Sequence, residues 1–126
     1  MRIILADNRK EVRSALRLVL EQRGDHVIVG ESQDAVNLIA QSGRLCPDAV
    51  ILDAQLAGLQ VGERAKVQSL TELVEALRRL CPSIRMIVLG SHPDLKNEIL
   101  SAGVDAFFCK SDPPDILLEL LADLTN

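Results

Sequence analysis

The stretch Pro47-Asp48-Ala49-Val50-Ile51-Leu52-Asp53 sets four consecutive apolar residues between two carboxylates. A run this short, apolar without alternation, reads as a strand buried on both faces, the mark of a parallel sheet. Similar runs stand at Ile3–Ala6, Val27–Val29, Met86–Leu89 and Ala106–Cys109. Between them apolar residues recur at helical spacing: Val12, Ala15, Leu16, Val19 and Leu20, then Val36, Ile39 and Ala40, then Leu70, Leu73, Val74, Leu77 and Leu80. Ile99 with Ala102 marks a weaker helix, and Ile116 to Leu124 a last one that is apolar over most of its circumference. Strict strand–helix alternation with short links predicts an α/β doubly wound fold: a five-stranded parallel sheet with five helices on its two faces, in one domain over 1–126.

Punctuation follows the same rhythm. Ser32 and Ser69 stand near expected helix starts, and Glu72 completes a capping box with Ser69. Gly24, Gly43 and Gly103 fall where helices should end in a left-handed residue; Pro47 and Pro82 follow helices, and Pro113-Pro114 opens the last one. One segment breaks the pattern. Ala54–Gln68 is a long link after the third strand, expected to be mobile or to carry a short extra helical turn, and to lie over the strand end where it begins.

Composition narrows the function. The chain has 126 residues, 48% of them hydrophobic and 25% charged, which suits one packed core. Its aromatics are Phe107 and Phe108 alone, too few for modules that stack nucleic-acid bases. A formal charge of −4 provides no basic footprint for a phosphate backbone or anionic lipid, so direct nucleic-acid contact is not expected. No run of about 18 apolar residues is present to cross a membrane, and a cytoplasmic domain is expected. Cys46, Cys81 and Cys109 match no zinc spacing and read as small buried hydrophobes in a reducing compartment.

In open parallel sheets, ligands bind at the carboxyl ends of the strands, near the point where strand order reverses. Here those ends carry Asp7-Asn8, Asp53, Gly90-Ser91-His92 and Lys110-Ser111. Acidic oxygens converging on one rim suit a hard divalent cation such as Mg²⁺, and a lysine beside them suits a phosphoryl group. Taken alone, Asp7 is equally well a turn or helix-capping residue. Asp53 has no nearby helix to cap, and its placement with Lys110 favours chemistry.

With these pieces in order, the whole chain resembles the receiver domain of two-component response regulators, a flavodoxin-like three-layer sandwich. The resemblance rests on Ile3–Asn8, Pro47–Asp53, Met86–His92 and Gly103–Lys110. Lys110–Leu121 is similar to the subfamily that precedes a helix-turn-helix DNA-binding domain. The resemblance implies that Asp53 accepts a phosphoryl group from a sensor histidine kinase or a small acyl phosphate, and that Lys110 pairs with it. It implies a weakly bound Mg²⁺ on Asp7, Asn8, Asp53 and the backbone carbonyl of Gln55. Gly90, Ser91 and Phe107 fall at switch positions, and Gln55 and His92 where hydrolysis of the acyl phosphate is tuned. Any catalysis would be confined to Mg-dependent self-phosphorylation and dephosphorylation of this phosphoprotein, in a phosphorelay that serves transcription regulation.

Departures mark an atypical receiver. Asn8 stands where the family carries a second acid, Gly90 where it carries a hydroxyl, and Ala57 where it carries proline. The substitutions Asn8→Asp and Gly90→Thr are therefore expected to strengthen a weakened site. The alternative is a pseudo-receiver, a phosphorylation-independent interaction or dimerisation module. A flavin-binding protein of similar topology would need a Gly-rich loop where Asp7-Asn8-Arg9-Lys10-Glu11 stands. Ile116, Leu117, Leu118, Leu120, Leu121 and Leu124 exceed one core-facing stripe, with Leu118 expected outside and Ile116 or Leu120 uncovered according to the helix roll. The last helix, the fifth strand and the fourth helix are thus the expected surface for a homodimer or effector domain. Both a stand-alone regulator and a receiver within a longer transcription factor are compatible with the chain.

Overall fold

In the computed structural model, residues 1–59 and 63–125 are described, with the backbone alone for 63–68. The order is β1 (Arg2–Ala6), α1 (Lys10–Glu21), β2 (Val27–Ser32), α2 (Ala35–Leu45), β3 (Ala49–Asp53), α3 (Glu63–Leu80), β4 (Arg85–Gly90), a 3₁₀ turn (Pro93–Leu95), α4 (Lys96–Ser101), β5 (Ala106–Cys109) and α5 (Pro114–Thr125). The strands form one parallel sheet in the order β2-β1-β3-β4-β5, the doubly wound fold expected from the alternation.

The unbroken apolar runs are explained by the two faces they serve. Ile4, Ala6, Val50, Leu52, Met86 and Val88 pack with Leu38, Leu73, Leu77 and Ile99. Alternate residues Ile3, Leu5, Ile51, Ile87 and Leu89 pack with Leu20, Leu117 and Leu121. Every residue of β3 is buried, so its sequence has no polar face to show.

Several boundary expectations are corrected. Ser32 ends β2, and the helix that follows is capped by Asp34, whose carboxylate accepts from the Asn37 N–H at 2.7 Å. Ser69 lies inside α3, so it forms no capping box. The helix starts at Glu63, six residues earlier, which shortens the link after β3 from 54–68 to 54–62. Gly43 lies inside α2; the left-handed residue that ends this helix is Cys46, at φ 42. Gly24 and Gly103 do take positive φ, at 76 and 102. The start of the link is anchored: Leu56 is buried, and Ala57 O accepts from the Ala35 N–H at 2.8 Å. Residues 60–62, on which the expected mobility also bears, lie outside the described residues.

The cysteines are corrected too. Cys46 is exposed and bridged to Cys81, while Cys109 alone is free and buried. Both bridged residues immediately follow a helix, α2 and α3, and these helices pack side by side at the amino end of the sheet. Their Cα atoms lie 5.6 Å apart, within the roughly 4.4–6.8 Å a disulfide spans. On α5, Leu117 and Leu121 are buried and Leu118, Leu120 and Leu124 pack against the core, which corrects the expectation for Leu118; Ile116, at 37% exposure, is uncovered as one helix roll allowed. Helix α1 is less covered than its spacing suggests: Ala15 is exposed, and Val12, Leu16 and Val19 line an open groove of about 410 Å³ against Leu117.

Candidate functional site

Strand register builds the site. Ala6 pairs with Leu52, so the next residue of each strand, Asp7 and Asp53, stands side by side where the sheet order reverses. Asp53 in turn pairs with Leu89, and Gly90 with Cys109, which brings Lys110 to the same rim. The two carboxylates are 2% and 1% exposed.

Lys110 Nζ donates to Asp53 Oδ2, and the Gln55 N–H donates to Asp53 Oδ1 at 2.6 Å. Burial pushes the Asp53 carboxyl up, but Lys110 and the Gln55 N–H outweigh it and hold it below the ordinary carboxylate range. Asp53 is therefore an ionised oxygen nucleophile at neutral pH. Asp7 is fixed from both sides: Arg13, buried in α1, donates to its backbone oxygen at 2.5 Å, and the Arg9 N–H donates to its Oδ1 at 2.8 Å. Arg13 also reaches Glu31 at 2.9 Å.

The remaining sequence-expected residues are less gathered. The side chains of Asn8, Gln55, Ser91 and His92 are exposed. Gly90 and Phe107 are in intimate contact: a Cβ on Gly90 would lie 2.6 Å from Phe107 Cε2 and 2.9 Å from Cζ. The ring thus fills the space beside the strand end that a side chain at 90 would need. A side chain at 90, as in Gly90→Thr, would require the Phe107 ring to shift.

Arg9 is the residue that the sequence reading missed. Its guanidinium reaches Asp7 Oδ1 at 3.4 Å and Asp53 Oδ2 at 3.1 Å, and these two acids raise its pKa further, Asp7 foremost. The available signal was a cation two residues beyond Asp7, on the same rim.

No known family model matches the chain. The uncharacterized transcriptional regulatory protein YhcZ of Bacillus subtilis is 27% identical over 121 residues, and the nitrate/nitrite response regulator protein NarP of Escherichia coli 25% over 122. Each match covers 94% of this chain, which spans about half, 52%, of either relative. The isolated REC domain of RcsB from Salmonella enterica serovar Typhimurium, solved in the presence of the phosphomimetic BeF₃⁻, superposes with a TM-score of 0.81 at 26% identity, covering 99% of this chain and 88% of that one. Sheet order and the acid–lysine rim resemble those of a receiver-type α/β domain. Within that class, the chain is similar to the receivers of response regulators, including those of named transcriptional regulators.

Proposed function

We propose that this domain is a phosphorelay receiver in which Asp53 is the phosphoryl acceptor. The observation that carries the reading is the buried, ionised Asp53 carboxylate paired with Lys110 at the carboxyl edge of β3. In the reaction, a carboxylate oxygen of Asp53 forms a bond to phosphorus. The donor's phosphorus–nitrogen bond (from a kinase phosphohistidine) or phosphorus–oxygen bond (from an acyl phosphate) breaks, and the leaving group retains the bonding electron pair. Lys110 stabilises the charge on the transferred oxygens, and the Gln55 N–H orients the carboxylate. Modification of Asp53 would disturb its ion pairs with Lys110 and Arg9, and so couple the acceptor to β5 and to the start of α1.

The residues fit a divalent metal poorly. Asp7 Oδ2 is a buried oxygen without a hydrogen-bond partner, which on its own favours a cation. Yet Asn8 brings no charge, and Arg9 already engages both carboxylates. The proposed mechanism therefore routes no step through Mg²⁺; the family's metal set of Asp7, Asn8, Asp53 and the Gln55 carbonyl is at most weakly served.

The partners that go with this reading are a sensor histidine kinase upstream and, downstream, an effector domain or second copy meeting α4, β5 and α5, where Ile116 is exposed. Among the described residues no helix is long and apolar enough to cross a membrane. One observation favours a second reading, a phosphorylation-independent interaction module: the Phe107 ring packs into the space beside Gly90, where no hydroxyl stands to follow a phosphoryl group.

Incubation with phosphoramidate or acetyl phosphate, followed by intact mass, tests the proposal. One phosphoryl group is expected on the native chain and none on Asp53→Asn. A native chain that stays unlabelled with both donors, with and without Mg²⁺, overturns phosphoryl acceptance in favour of the interaction module.

A further inference from the structure

Asp7 and Asp53 are buried acids at adjacent strand ends, and the Arg9 side chain touches both. We propose that Arg9 is the resident cation of this pocket, seated between Asp7 and Asp53 where a divalent metal would sit, and that it excludes such metals from the native protein. The inference rests on reading these two acids as the receiver pocket, not on phosphoryl transfer itself.

Geometry supports this placement. Arg9 is the N-cap residue of α1, with extended backbone at φ −102 and ψ 116, and its own N–H is held by Asp7 Oδ1 at 2.8 Å. The side chain therefore starts from a fixed point on the rim. Its Nε then returns to the same oxygen at 3.4 Å while Nη2 reaches Asp53 Oδ2 at 3.1 Å. A planar guanidinium with several fixed donors can bridge two carboxylates in this way; the point charge of a lysine is less suited to it.

Charge supports it as well. Two acids, Asp7 and Asp53, face two cations, Arg9 and Lys110, so the pocket already holds its positive charge with no metal bound. Asn8, the neighbour that might have added a third carboxylate, is a neutral, exposed amide. Among the described residues, no group of three or more acidic, histidine or cysteine side chains is placed to hold a metal. The side-chain oxygen without a partner at this rim, Asp7 Oδ2, is far from the near-octahedral set that Mg²⁺ demands. A divalent ion would have to displace Arg9 from both acids or crowd beside two cations already in the pocket. Arg9 is 49% exposed, so the barrier to metal entry is this ion-pair competition rather than a closed wall.

Manganese binding tests the proposal without any phosphoryl donor. Mn²⁺ is titrated into the full chain and free ion is followed by its electron paramagnetic resonance signal, with circular dichroism checking that each variant is folded. Arg9→Gln, which keeps polarity and loses charge, should bind Mn²⁺ at least about tenfold more tightly than the native chain, or ~1.4 kcal/mol. Arg9→Lys, which keeps the charge but bridges the two acids less well, should bind Mn²⁺ more weakly than Arg9→Gln. Equal binding by native and Arg9→Gln, whether both take up the ion or neither does, overturns the proposal. So does Arg9→Lys behaving as Arg9→Gln. Phosphoryl labelling of Asp53 is read separately, so loss of that reading and loss of this one give different results.

Discussion

The contact between Gly90 and Phe107 can be weighed by a single methyl group. In Gly90→Ala the new Cβ would lie 2.6 Å from Phe107 Cε2 and 2.9 Å from Cζ, where carbon atoms pack comfortably at roughly 3.5–4.0 Å. The ring must therefore retreat by about 1 Å, yet it is half-buried against the cluster that includes Val88 and Ile99. Overpacking of this kind costs about 1–3 kcal/mol. Replacing glycine by alanine offsets about 0.5–1 kcal/mol through a less flexible unfolded chain. Net destabilisation of roughly 0–2.5 kcal/mol is expected in the native background. In a Phe107→Ala background the collision is gone and only the favourable part remains, so the coupling energy of the double-mutant cycle should be about 1–3 kcal/mol. Urea unfolding followed by far-ultraviolet circular dichroism measures it, since the chain has no Trp or Tyr. A Gly90→Ala chain as stable as the native one, with coupling within about 0.3 kcal/mol of zero, would refute the account of Phe107 filling the place of a side chain at 90.

Two further outcomes are expected. The Cys46–Cys81 bridge closes a loop with a sequence separation of 35, a constraint worth on the order of 2–4 kcal/mol, so dithiothreitol or Cys46→Ser with Cys81→Ser should lower the urea midpoint; thiol titration of the unfolded, unreduced chain should find Cys109 alone, and three reactive thiols would contradict the bridge. Acid should destabilise the fold in two stages: His26, its pKa lowered by burial and then by the amino terminus, loses its stabilising share as pH falls below about 6.5. Asp53 and Glu31, held below the ordinary range against burial by Lys110 and by Arg13 with Arg17 respectively, lose theirs as pH falls below about 4. His26→Gln should remove the first stage and leave the second, as followed by urea midpoints against pH.

How far the sequence could be read depended on whether the deciding interactions were periodic. The buried strands were legible because each serves two cores, which leaves β3 without a polar residue between Ala49 and Leu52. Asp7, Asp53 and Lys110 were legible because each immediately follows such a strand. Helix starts were less so: Ser32 and Ser69 have capping chemistry, but β2 runs on to Ser32 and α3 begins at Glu63, so strand pairing and helix extension outweighed the local preference. The disulfide depends on α2 and α3 ending side by side, a tertiary fact that no Cys spacing encodes. Arg9 was missed for the same kind of reason. Its partner Asp53 is 44 residues away in sequence, and the ion pair exists because β1 and β3 are neighbours in the sheet.

Phosphoryl acceptance by Asp53 is tested most directly by chemical trapping. The full chain is treated with phosphoramidate, reduced with borohydride, which converts an aspartyl phosphate to homoserine, and digested for peptide mass mapping. Homoserine is expected at position 53 and nowhere else, with the Asp53→Asn chain unchanged. A native chain with no homoserine at 53, or with the modification at another carboxylate such as Asp7, would contradict the assignment of Asp53 as the acceptor.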